Sequence, residues 1–141
     1  MSRAMPTIHE RYPAIASLEA SPFSALLGLK VESAEIGVAV VRMPFAARLL
    51  NDGGLDVPIH GGAIASLADF AACAAVWTRP ETSRSATIAM TINYTGPGIR
   101  SDLIAHARVR RAGRRVASLT VEVRDAAGAL IADALVTYKV A

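Results

Sequence analysis

The amino-acid sequence predicts an α+β fold in which an antiparallel sheet of six strands packs on one long helix. Three observations predict it. The stretch from Gly61 to Thr78 carries almost no polar side chain and stops before Arg79-Pro80. A helix that is apolar all round is buried all round, and the residue before a proline is pushed out of the helical region. Four segments in the last third alternate apolar and polar residues with a period of two, which marks strands with one covered face. Leu29 to Ile36 and Val38 to Phe45 are extended runs meeting at Gly37, the pattern of a hairpin. Such elements form a layered structure whose twisted sheet can curl around the helix.

Taken in order, Met1 to Tyr12 is polar and aperiodic and is expected to be a loose arm. Pro13 to Leu27 reads as a short helix broken near Pro22, closed by Gly28. The hairpin of two strands follows. Arg48 to Ile59, with Asn51, Gly53, Gly54 and Pro58, reads as a loop. After the long helix come the strands Ala86 to Tyr94, Leu103 to Arg110, Val116 to Arg124 and Leu130 to Val140, with turns at Ala112-Gly113 and Ala126-Ala127-Gly128. In the first of these, Ala86, Ile88, Met90, Ile92 and Tyr94 are expected on one face. No repeat or linker divides the chain, so residues 1–141 read as a single domain.

Composition narrows the function. The chain has 141 residues, 52% hydrophobic and 19% charged, too apolar for a disordered chain. Its longest unbroken apolar run, Phe70 to Trp77, is far short of the roughly 20 residues that span a bilayer. The N-terminus shows no signal-peptide pattern, and one cysteine, Cys73, excludes an internal disulfide. A cytoplasmic location is expected. The net charge of +3 comes largely from arginine, densest at Arg108, Arg110, Arg111, Arg114 and Arg115. A solvated hairpin tip or a phosphate-contacting patch would each explain that cluster. No nucleic-acid-binding signature surrounds it, and aromatic residues make up only 5%. Neither nucleic acid nor a membrane is expected as a partner.

Asp69 is the only charged residue between Gly61 and Thr78. An ionised carboxylate there costs several kcal/mol unless it is paired or wet, and it lies too far inside to be a cap. It is either a structural aspartate bonded to a donor or the working carboxylate of a cleft, as base or nucleophile. Upstream stand His60-Gly61-Gly62. Glycines at a helix start let a ligand approach, and the first amides of a helix are free to bind an oxyanion. His60 orients that turn or serves as a structural histidine.

Asn51, then His60-Gly61-Gly62-Ala63-Ile64-Ala65-Ser66-Leu67-Ala68-Asp69, resembles the PaaI-type acyl-CoA thioesterases of the hotdog fold, with their HGG-x4-LAD pattern at the head of a central helix. The resemblance extends through Pro22-Phe23, Leu27-Gly28, Gly37, Ile92-Asn93-Tyr94, Gly113-Arg114, Asp125 to Gly128 and Thr137-Tyr138. It implies a curved antiparallel six-stranded sheet wrapped around one long central helix. It also implies a homodimer with the active site at its interface, assembled as a dimer of dimers in a homotetramer. The implied activity is hydrolysis of an acyl-CoA without metal or organic cofactor. Asp69 would activate water or attack the thioester carbonyl, and the amide of Gly61 or Gly62 would stabilise the oxyanion. Asn51 would position water or the leaving thiolate. One departure is that Asn51 stands nine residues before His60, where the family places it about six before.

For the substrate, the resemblance points to Asn93, Tyr94 and Gly96, in the strand end and Gly96-Pro97-Gly98 loop, as the channel for CoA. Arg84, Arg100, Arg111 and Arg114 are candidates for its phosphates, since a guanidinium fork suits phosphate oxygens. Phe70, Trp77 and Met90 are either plain core or walls of an acyl pocket, and Cys73 reads as a small core residue. A hotdog protein that binds acyl-CoA without hydrolysing it is the competing reading. A hotdog dehydratase is a weaker one, because His60 lies outside the buried helix.

Overall fold

The computed structural model describes residues 4–141. Three short helices, α1 (Ile8–Arg11), α2 (Ala14–Ala20) and α3 (Pro22–Leu27), precede the hairpin of β1 (Lys30–Glu35) and β2 (Val38–Met43). A 3-10 turn over Ala47–Leu49 leads into the loop before α4 (Gly61–Trp77). Then come β3 (Ala86–Tyr94), β4 (Leu103–Ala112), β5 (Val116–Asp125) and β6 (Leu130–Lys139). The strands form one sheet in the order β1-β2-β4-β5-β6-β3, every neighbouring pair antiparallel. This curved sheet around one helix is the hotdog fold.

The core lies between α4 and the concave face of the sheet. Leu67, Ala68, Ala71, Ala72, Ala74, Ala75 and Val76 of α4 are wholly buried against Val41, Leu103, Ala105, Leu119, Val121 and Val136. Alanine keeps the helix surface smooth and brings backbone close to the strands, while the sheet supplies the larger side chains. The far end of α4 is tied down by two threonines. Thr78 Oγ1 donates to the Ala75 carbonyl at 2.6 Å and accepts the Gly37 amide at 2.7 Å; Thr82 Oγ1 donates to the Val76 carbonyl at 2.7 Å. These bonds satisfy carbonyls that a helix end leaves unpaired and fasten the β1–β2 turn, where Gly37 has φ +80°, to the helix.

Two features depart from the sequence reading. Within the expected loose arm, residues from Thr7 onward form a capped helical turn. Thr7 and Glu10 exchange side-chain-to-backbone bonds, a capping box, and His9 Nε2 lies 2.7 Å from Glu19 Oε1. Residues 1–3 of that arm lie outside the described residues.

The second is in β3, where the predicted alternation breaks at Ile88. Thr87 pairs with Tyr138, whereas the next pairs are Ala89 with Thr137 and Met90 with Val136. Ile88 is the extra residue of a bulge, and one extra residue exchanges the faces. Thr87 therefore shares the α4-facing side with Met90, Ile92 and Tyr94, while Ile88 is 57% exposed.

Ala74 has no exposed surface, so Ala74→Leu should cost about 1–3 kcal/mol by overpacking. Urea unfolding would show a lower midpoint at unchanged slope. Ala126→Leu in the exposed β5–β6 turn should shift stability by less than about 0.5 kcal/mol.

Candidate active site

Asp69 is half-buried on α4 and is held by two hydroxyls from the sheet. Thr87 Oγ1 donates to Asp69 Oδ1 at 2.7 Å, and Tyr138 Oη donates to the same oxygen at 2.7 Å. Tyr138 Oη also lies 3.0 Å from the Asp69 main-chain carbonyl. Thr87 and Tyr138 are direct cross-strand partners of β3 and β6, so a single step of the sheet presents both. Tyr138 is 3% exposed. Burial pushes its phenol far above the usual tyrosine range, and the neighbouring Asp69 carboxylate disfavours a second negative charge, so it stays protonated as a donor.

Asp69 lines a cleft of about 220 Å³ between α4 and the N-terminal helices. Leu18, Phe23, Leu27, Leu29 and Phe70 give it apolar walls, and Cys73 and Tyr138 lie beside the carboxylate. A second hollow of about 210 Å³ shares Phe23, Leu27 and Ser66 and reaches His60 and Gly62. Together they make a groove along the first half of α4, overhung by α3. Phe70 thus belongs to the site. Trp77 instead donates its indole N–H to Ser85 Oγ at 2.8 Å, and Met90 is half-buried against the core.

At the head of α4, His60 is the N-cap, and its Nδ1 accepts the Gly62 amide at 2.8 Å. That bond occupies one of the two amides the sequence offered for an oxyanion. Among the described residues no acceptor meets the Gly61 amide. Tyr94 Oη donates to the Gly61 carbonyl at 2.8 Å, and its ring lies 3.3 Å from where a Gly61 Cβ would stand. Glycine at 61 therefore lets Tyr94 close over the helix start.

The longer loop does not remove Asn51 from this region. Leu50 bridges to Ile59, the Asn51 amide donates to Pro58 O at 3.1 Å, and the His60 amide donates to Leu49 O at 2.7 Å. The extra residues bulge outward as a closed excursion, leaving Asn51 at its neck. The Ile59 amide donates to Gly98 O at 2.9 Å, which brings the Gly96-Pro97-Gly98 loop against the same end of α4. Gly96 itself packs 3.1 Å, from its would-be Cβ, against Leu130 O.

The remaining binding candidates are spread over the molecule. Asn93 projects from the outer face of the sheet, with Nδ2 3.3 Å from Asp133 Oδ1, away from Asp69. Arg100 pairs with Asp56 at 2.9 Å on the exposed 51–58 excursion. Arg84 is exposed in the segment before β3, and Arg111 and Arg114 are exposed around the β4–β5 turn. Among the described residues no three histidine, cysteine or acidic side chains gather to hold a metal, and no helix is long and apolar enough to cross a membrane.

The sequence profile of the thioesterase superfamily matches residues 59–132, from just before His60 into β6. The medium/long-chain acyl-CoA thioesterase YigI of Salmonella typhimurium is 32% identical over 133 residues, covering 84% of this chain and 85% of its own. A conserved protein of Pseudomonas aeruginosa is 35% identical with a TM-score of 0.78, covering 87% of this chain and 96% of its own. The Escherichia coli PaaI protein from the phenylacetic acid degradation operon is 25% identical with a TM-score of 0.83 over 96% of both chains. The chain belongs to the thioesterase superfamily, with PaaI-like hotdog architecture, and is a thioester hydrolase.

Thr87 and Tyr138 were not singled out as site residues by sequence reasoning. The one available signal was a tyrosine in the inner, otherwise apolar row of β6, whose buried hydroxyl needs a partner. Cys73, one turn after Asp69, has its thiol raised above the usual value, chiefly by burial. It should react with iodoacetamide at pH 8 far more slowly in the native protein than after unfolding in urea; equal rates would contradict this placement.

Proposed function

We propose that the protein is an acyl-CoA thioesterase in which Asp69 is the catalytic carboxylate, acting as general base or nucleophile. The observation that carries this reading is the placement of Asp69: half-buried, fixed by two hydroxyls and facing an apolar-walled cleft. As a base, the carboxylate takes a proton from water as the water oxygen bonds to the thioester carbon. The carbonyl electrons move onto oxygen beside the Gly61 amide. Collapse breaks the C–S bond, and the CoA thiolate leaves and takes up the proton. These steps need no metal or organic cofactor. The cleft walls suit an apolar acyl group, in keeping with the chain-length class named for the YigI relative.

Within one chain the two groups are spaced along α4 more widely than one thioester needs, even allowing for the Asp69 side chain leaning back toward the helix start. Gly61 and Asp69 are eight residues apart on α4, about 12 Å of helix. An oxyanion bonded at about 2.9 Å and a nucleophile about 3–3.5 Å from the carbonyl carbon span only about 7 Å in total. We therefore propose that Asp69 of one subunit works with Gly61 of its partner in a homodimer. The exposed outer edge of β3 supports this reading, since an unpaired strand edge is a template for a second chain. Asn51, at the neck of its loop, lies at the Gly61 end of such a site.

For the CoA phosphates, Arg114 is the strongest of the four arginine candidates. It lines a hollow of about 490 Å³ beyond the C-terminal end of α4 and has no carboxylate partner among the described residues, whereas Arg79 of that hollow pairs with Glu81 at 2.6 Å and Arg100 pairs with Asp56 at 2.9 Å.

Asp69→Asn should lower thiol release from an acyl-CoA panel by about 10²–10⁴-fold. Gly61→Pro removes the proposed oxyanion donor at a helix position where proline is well tolerated, and should cost about 10²–10³-fold in kcat. Gly61→Ala is the comparison: both variants add a Cβ that meets the Tyr94 ring at 3.3 Å, but only Gly61→Pro also loses the N–H. Hydrolysis by Asp69→Asn at the wild-type rate would refute the mechanism.

A further inference from the structure

Two hydroxyls converge on one oxygen of Asp69. Thr87 and Tyr138 both donate to Oδ1 at 2.7 Å, and neither bond involves Oδ2. Among the described residues no buried side-chain oxygen lacks a partner, so Oδ2, which has none, is open to solvent in the cleft.

We propose that Tyr138 is a positioning residue for Asp69: with Thr87 it immobilises Oδ1, and so makes Oδ2 the oxygen that meets water or the thioester carbonyl. The proposal rests on the reading of Asp69 as the catalytic carboxylate.

Several features give Tyr138 this role rather than that of a core filler. Its hydroxyl reaches both the side chain and the main-chain carbonyl of Asp69, at 2.7 and 3.0 Å. The shorter contact is the hydrogen bond to Oδ1, and the closeness to the main-chain carbonyl seats the hydroxyl against the helix backbone, so the donor meets Oδ1 from a fixed direction. The ring is buried in the inner row of β6 with Ala134 and Val136, so the donor sits on a rigid element. The phenol remains protonated because burial raises it far above its usual value.

The second donor reaches Oδ1 only through the bulge at Ile88, which turns Thr87 to the α4 side directly opposite Tyr138. An unclamped carboxylate presents two equivalent oxygens and rotates. A clamped one offers a single oxygen in a fixed direction, and orientation of that kind is worth large factors in rate.

The test is steady-state hydrolysis of an acyl-CoA panel by wild type, Tyr138→Phe and Thr87→Val, with melting curves for each, and by Tyr138→Phe combined with Asp69→Asn. Tyr138→Phe keeps the buried ring and removes only the hydroxyl. It should lower kcat about 10- to 100-fold with KM within about twofold, since the lost contact affects the reacting group rather than substrate binding.

In the Asp69→Asn background the same change should cause no further loss, because residues that act through one group are not additive. A role confined to packing would lower the melting temperature and leave kcat of the folded protein unchanged. Thr87 is exposed, so Thr87→Val is expected to fold even if Tyr138→Phe does not, and it should also reduce kcat.

Wild-type kcat in either folded variant, or an undiminished effect of Tyr138→Phe without Asp69, overturns this proposal alone. Absence of thiol release by the wild type across the panel overturns the thioesterase reading and this proposal together.

Discussion

The carboxylate of Asp69 sits on a helix that carries no other charge from Gly61 to Trp77, and two hydroxyls from adjoining strands hold it there. Placing an ion among apolar side chains costs several kcal/mol without such donors, so the helix, the last strand and the edge strand are coupled through this one group. Tyr138 is buried to reach it. The bulge at Ile88 turns Thr87 toward it, and the N-terminal helices leave a cleft beside it. In this protein a polar contact in the core coincides with the place where the chemistry is proposed.

The alanines of α4 make that arrangement possible. Larger side chains would hold the sheet away from the helix, and the short reach of a threonine hydroxyl from β3 would no longer span the gap to Asp69. The same closeness at the helix start lets the Tyr94 ring rest over Gly61. The hydrophobic fraction of 52% therefore serves a tightly wrapped helix, and in the proposed dimer part of it also serves the subunit boundary.

Much of this was legible in the sequence because the signals are local. An apolar run ending before Arg79-Pro80 defines α4 to within one residue of its end, period-two alternation locates the last four strands, and a lone acid in an apolar helix marks Asp69. What could not be read depends on register or on distant pairs. Alternation in β3 places Ile88 beside Met90, but the bulge gives that face to Thr87 instead. Tyr138 meets Asp69 across 69 residues of chain, and nothing near either residue announces the other. The path of the insertion after Asn51 was also unreadable, because the Leu50–Ile59 bridge that closes it joins residues on either side of the loop. The capping box of Thr7 and Glu10 was local and readable, yet polarity hid it.

In the proposed homodimer each active site joins Gly61 of one subunit to Asp69 of another. This pairing is tested most directly by mixing two inactive variants, Asp69→Asn and Gly61→Pro, under conditions where subunits exchange. In a mixed dimer one site keeps both intact groups and the other loses both, so the equilibrated mixture should regain about a quarter of the wild-type activity. A mixture no more active than its separate components, with exchange verified, would show that each chain works with its own pair of groups and would contradict the account.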